Sequence, residues 1–357
     1  MINKIKPNTK LTPPNWMTPE LTHSPHYKRA IQIPGKRTKE QSEKYKKKVD
    51  WFHKAKYGLC FHFLASMGEN KNTYEWTSDD WNDCVESVNV DKIADQAKEL
   101  DAGYVALTIG QNCQYYCAPN PIIEKFWNIN PGEFGSRRDL PMDLYKALKK
   151  RDIRMFLYTA TDNQFMIPCP ENLENGNGRY DRWVEAMQWY SDHYGKACSG
   201  WWIDGLYEHL GPKGYTEQIH AALRHGNPEA LISSGTNRLS DFLHGHSIQS
   251  LKQDDWGIQQ ERMLPYYGRW DPISENQWHV FLFVGSNWGF TDLGHSDESI
   301  VAYCGKVIKG GGVITFDIGT RGVGEDWPQI DIPMVQFNQL RLIRDALKEI
   351  AASDGFV

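Results

Sequence analysis

From Tyr57 onward the chain alternates short apolar runs with longer stretches in which apolar residues recur every three or four positions. The runs "YGLCFHF" (57–63), "YVALTIG" (104–110), "RMFLYTA" (154–160), "GWWIDG" (200–205), "ALISSG" (230–235), "IQSLKQDD" (248–255), "QWHVFLFV" (277–284) and "GVITFDI" (312–318) predict strands. Most are apolar at consecutive positions, the mark of a strand covered on both faces. Between them, residues 91–100 put Ile93, Ala94, Ala97 and Leu100 on one helical face, and residues 141–151 open with a proline suited to a helix start. Residues 179–194, 215–224 and 299–309, and a last segment carrying Phe337, Leu340, Ile343 and Leu347, predict further amphipathic helices.

Strand and helix in strict alternation imply a parallel sheet with helices outside it. Some eight such units in about 300 residues predict an α/β fold closed as a (β/α)8 TIM-type barrel in a single domain. No glycine-rich phosphate loop follows the first strand, which argues against a dinucleotide-binding sheet. Residues 1–45, rich in Pro, Lys and Thr, are expected to form an N-terminal arm on a barrel spanning 46–357.

Composition narrows the partners. A formal charge of −5 with mixed signs argues against nucleic acid, which needs a clustered positive surface. The basic run "KYKKKVD" (44–50) reads as the solvated face of a helix. No apolar stretch approaches the roughly 18 residues of a membrane span. The N-terminus lacks the apolar core of a secretory signal, so the expected compartment is cytoplasmic, or periplasmic or secreted if a leader has been removed. Seven cysteines at scattered spacings predict free thiols, not a zinc site, and neither a metal nor a cofactor is expected. Aromatic residues reach 13%, with 14 Trp and 17 Tyr, and flat rings suit a carbohydrate partner because the apolar face of a pyranose stacks on them.

In a barrel of this kind the chemistry sits at the C-terminal ends of the strands. Those ends carry His62, Gln111, Asn112, Asp204, the pair Asp254 and Asp255 with nearby Glu261, Trp288 and Asp317. The set holds no nucleophile elbow and no paired-histidine metal motif. It is rich in carboxylates, and two of them across a cleft are the minimal equipment for cleaving a glycosidic bond. Asp204 stands out because it follows Trp201, Trp202 and Ile203, where a charge is costly unless it emerges at the strand's end, and because Gly205 lets the backbone turn away. A helix cap is the plainer alternative for it.

Taken in order, "YGLCFHF", "AGYVALT", "RRDLPMDLYKALKKRDIRMFLYTATDN", "WWIDG", "QWHVFLFVGSNWGF" and "IKGGGVITFDIGT" resemble the catalytic barrel of the α-L-fucosidase family of retaining glycoside hydrolases over roughly Trp51 to Ile350. The resemblance implies that Asp204 is the nucleophile, that His62 helps hold the sugar and that Trp288 stacks near it. It leaves the acid/base open between Glu261 and the pair Asp254 and Asp255. Candidate sugar contacts are His62, Trp76, Gln111, Asn112, Trp202 and Trp288.

The chain also departs from the family. "GQNCQYY" stands where the family has a His-His-Asp-Gly-Phe run, His279 follows Trp278 where it has Trp-Glu, Asp317 replaces an asparagine, and the family's C-terminal β-sandwich is not expected here. The expected activity is exo-hydrolysis of α-L-fucosyl or related L-sugar residues with retention. The alternatives are a barrel glycosidase of another specificity and a sugar-binding barrel without catalysis.

Overall fold

The computed structural model of the protein describes residues 37–67, 75–161, 178–206, 213–234, 239–244, 268–271, 274–321 and 330–353, with Ile167, Pro170 and Pro328. Its centre is a parallel, curled sheet of seven strands in the order β5-β4-β3-β2-β1-β7-β6. The strands are β1 (Tyr57–Phe61), β2 (Tyr104–Thr108), β3 (Arg154–Ala160), β4 (Cys198–Asp204), β5 (Leu231–Ser233), β6 (His279–Phe283) and β7 (Val313–Ile318). The helices are α1 (Lys39–Ala55), α2 (Ser78–Glu86), α3 (Val90–Glu99), α4 (Pro121–Trp127), α5 (Leu140–Lys149), α6 (Gly178–Tyr194), α7 (Tyr215–Arg224), α8 (Asp297–Lys309) and α9 (Met334–Ser353).

The apolar runs are continuous because each strand is packed on both faces, and side chains alternate between two cores. Leu59, Phe61, Val105, Leu107, Met155, Leu157, Trp201, Ile203, Val280, Leu282, Ile314 and Phe316 belong to the larger core shared with the helices. Cys60, Tyr104, Ala106, Phe156, Tyr158, Trp202, Leu231, Phe281 and Val313 form a second core within the curl of the sheet. Where helices start, the sequence supplies caps: Thr38 and Thr77 make capping boxes, and Asn89, Asn120, Asp139 and Ser296 each accept from backbone N–H groups.

α1 covers the N-terminal end of the curl, and Phe52 packs on Tyr104, Phe156, Phe242 and His279 at ring distances of 4.8–5.8 Å. The helix runs through residue 45, where the arm was expected to give way to the barrel. The sixth predicted strand, 248–255, lies outside the described residues. Between the sheet edges the chain passes at residues 241–243: Asp241 N donates to Ile232 O at 2.7 Å, Gln277 N to Asp241 O at 3.3 Å and Leu243 N to Gln277 O at 3.0 Å. Six cysteines among the described residues are free and buried.

Candidate active site

Asp204 ends β4 and is half-buried, and Gly205 follows at φ +73°, a left-handed turn that glycine adopts without strain. The carboxylate is held at both oxygens. Gln111 Nε2 donates to Oδ2 at 2.5 Å, and the Gly205 N–H donates to Oδ1 at 2.8 Å. Tyr158 of β3 lies against the same carboxylate and is hydrogen-bonded to it and to Gln111. Burial, and then the Asp204 charge, push the Tyr158 phenol far above its ordinary range, so it faces the carboxylate as a donor. No helix starts within the residues described just after Asp204, and the first described helix beyond it, α7, has Gly214 at its N-cap.

A histidine–aspartate pair forms the next wall. His62 Nδ1 donates to Asp317 Oδ1 at 2.5 Å, while Asp317 Oδ2 accepts the Gly289 N–H at 2.9 Å. The carboxylate can only accept, so it fixes the proton on Nδ1 of His62. The His62 ring is also fixed by packing: Tyr158 at 5.1 Å, Trp288 at 5.6 Å and Phe281 at 5.8 Å surround it. Thr320 Oγ1 donates to the His62 carbonyl at 2.8 Å and ties the loop after β7 to the end of β1. Cys60 lies close to this pair, and the ligand-type atoms of Cys60, His62 and Asp317 fall within 4.8 Å of one another. The His62 and Asp317 atoms, however, are in direct hydrogen-bond contact, well inside the roughly 3.4 Å that separates two ligands of a tetrahedral ion.

Trp202 is buried in the floor of the site, with its ring 4.5 Å from Phe281 and 6.1 Å from Tyr158. Its Nε1 donates to His244 Nε2 at 2.7 Å, so His244 carries its own proton on Nδ1, toward Ser233 Oγ at 3.3 Å. His279, which follows Trp278 in place of the family's glutamate, is buried in the inner core, where its Nδ1 donates to Leu243 O at 3.0 Å and its Nε2 accepts from Thr315 Oγ1 at 2.7 Å.

Contacts thus link Asp204, Gln111, His62, Trp202 and Trp288 through Tyr158 and Phe281. Asn112 is exposed, at φ +56°, next to Gln111. Trp76 packs into the outer core beside Trp81 and Tyr115. Glu261, Asp254 and Asp255 lie outside the described residues. Tyr158 was not singled out in the sequence, yet its position carries a signal: it pairs with Trp202 in the β3–β4 register, two residues below the Ala160–Asp204 pair on the same inward face.

No family model and no curated protein matches the chain. Solved structures do. Endo-fucoidan hydrolase MfFcnA9 from glycoside hydrolase family 107 is 16% identical with a TM-score of 0.66, over 85% of this chain and 64% of its own. Endo-fucoidan hydrolase MfFcnA4, of the same family, is 17% identical with a TM-score of 0.61, over 85% of this chain and 54% of its own. The unliganded α-L-fucosidase AlfC from Lactobacillus casei is 15% identical with a TM-score of 0.60, over 86% of this chain and 99% of its own. The fold is that of fucosidase-like glycoside hydrolases. The chain spans less than two thirds of the length of the two endo-fucoidan hydrolases. Within this fucosidase-like fold, no helix among the described residues is long and apolar enough to cross a membrane.

Proposed function

We propose that the protein is a glycosidase that acts on α-L-fucosyl or closely related L-sugar residues of oligo- or polysaccharides by a retaining double displacement. The observation that carries this reading is Asp204: a carboxylate at the C-terminal end of β4, oriented at both oxygens and walled by aromatic rings. In this reading the sheet closes as a (β/α)8 barrel, with residues 241–243 in the place of the sixth strand. Their hydrogen bonds to Ile232 of β5 and to Gln277, just before β6, support it.

Asp204 attacks the anomeric carbon while an acid protonates the departing glycosidic oxygen. The same group, now a base, then takes a proton from the water that releases the sugar. Glu261, Asp254 and Asp255 are the candidates for that acid, and retention asks for a carboxyl about 5 Å from Asp204. His62 and Trp288 hold the sugar. Exo action is the first expectation, whereas endo cleavage of a fucose polymer is favoured by the likeness to the two endo-fucoidan hydrolases.

The test offers aryl α-L-fucosides and fucoidan to the wild type and to Asp204→Ala. The expected outcome is release of sugar by the wild type and a loss of roughly a thousand-fold or more in the variant. Monosaccharide release distinguishes exo from endo action, and the anomer first formed, followed by NMR, reports retention. A wild type that binds these sugars but cleaves none would leave the sugar-binding barrel as the answer.

A further inference from the structure

Gln111 reads from sequence as a sugar contact, but its amide is engaged elsewhere. It sits in the loop after β2, is 7% exposed, and directs Nε2 at Asp204 Oδ2 from 2.5 Å. Since an ionised carboxylate only accepts, the NH2 end of the amide must face it. Tyr158 is hydrogen-bonded to both Gln111 and Asp204, so side chains from the loop after β2, from β3 and from the end of β4 meet here. The backbone contributes as well: Gly205 N–H fixes the other carboxylate oxygen, so rotation of the carboxylate would break a hydrogen bond at each end.

We infer that Gln111 is a positioning residue: it holds Asp204 in the attacking orientation and acts on the reaction through that carboxylate. This rests on Asp204 being the nucleophile, and it differs from the sequence expectation in assigning the amide to the enzyme's own carboxylate instead of to a sugar hydroxyl. An amide is suited to the task because it donates without carrying a charge that would pair with the nucleophile and blunt it.

The experiment measures an activated aryl fucoside with Gln111→Met, which keeps the side chain's length but removes the donor. A hydrogen bond to a charged group of this kind corresponds to a loss of roughly 10- to 100-fold in kcat, with KM changed by less than about three-fold. Gln111→Glu keeps the shape but sets a like charge beside Asp204. It loses more than Gln111→Met at neutral pH and regains activity toward acid pH, where its protonated carboxyl again donates.

The decisive arm uses Asp204→Gly with added azide. The azide nitrogen bonds to the anomeric carbon as the bond to the aryl oxygen breaks and the phenolate departs. Adding Gln111→Met to that background changes the rescued rate by less than two-fold. Equal losses in both backgrounds, a loss confined to KM, or a Gln111→Met variant with the wild-type kcat would overturn the inference. An Asp204→Gly variant that keeps wild-type turnover without azide overturns the nucleophile assignment instead. If azide restores nothing, the split between kcat and KM and the pH profile of Gln111→Glu still decide the role of Gln111.

Discussion

Asp317 is buried to 1% exposure, and both of its oxygens have donors, His62 Nδ1 and Gly289 N–H. The resembling family has an asparagine there. In this chain an amide there would accept the Gly289 N–H with its oxygen and turn its NH2 end to His62 Nδ1, which moves the His62 proton from Nδ1 to Nε2. Asp317→Asn is therefore expected to cost about 1 kcal/mol of stability, the usual difference between a hydrogen bond to a carboxylate and one to a neutral amide. It is also expected to raise KM more than it lowers kcat, since Gly289 adjoins Trp288 and His62 turns with its partner. Denaturant unfolding and steady-state kinetics check both, and an unchanged KM would show that the pair does not hold the sugar. At this scale the sequence was partly legible. A charge after three bulky apolar residues draws the eye to Asp204, whereas Tyr158 is unremarkable in a strand, and only its inward parity shows where its hydroxyl points.

The strands announce themselves because two-sided burial leaves little room for polar positions, and the helices do so through their apolar period, while the Thr, Asn, Asp and Ser caps at their starts come from the structure. α1 is less open to such reading. Its lysines suggest a solvated face, and Lys44, Lys46 and Lys47 are exposed, but Lys48 reaches buried Asp241 at 3.0 Å, with Arg224 on the same carboxylate at 2.8 Å. The face that carries Lys48 also drives Val49 and Phe52 into the inner core, at the end of the sheet away from Asp204. The stretch at residues 241–243 is harder still, being too short to show a period, and its place follows from backbone pairing that no pattern of side chains encodes. If α1 acts as a plug, Phe52→Ala removes the ring that four inner-core neighbours share and costs about 3–5 kcal/mol. Turnover per folded molecule, assayed well below the melting range, should stay within about two-fold because the cavity is remote from the reacting groups. A melting temperature unchanged by the substitution would show that α1 merely rests on the sheet.

At the scale of the whole molecule, the buried histidines couple folding to pH. His220 of α7 is 2% exposed, with Nε2 on Ser234 Oγ at 2.6 Å. Burial, reinforced by Arg224 and Lys48 and only partly opposed by Asp241, lowers its pKa from 6.5 to about 3. His53 and His295 are lowered too, each mainly by burial. Below about 6.5 the unfolded chain takes up protons that the native state refuses, so stability falls as pH drops from there toward the folded value. Asp241 works in a different window. Burial opposes its ionisation, but Lys48 and Arg224 prevail and hold its carboxyl below the ordinary range, so its contribution is complete above about 4 and lost beneath it. Between about pH 4.5 and 6.5 the histidines therefore dominate, and His220 alone should contribute a loss of roughly 2–3 kcal/mol over that interval, since each pH unit is worth about 1.4 kcal/mol per proton. His220→Gln keeps a partner for Ser234 but cannot titrate. Whatever it does to stability at pH 7, its unfolding free energy should decline less steeply than the wild type's as pH falls to 4.5, by about that amount. Urea unfolding at matched ionic strength across the interval measures the two slopes, and parallel slopes would mean that His220 is protonated in the folded protein.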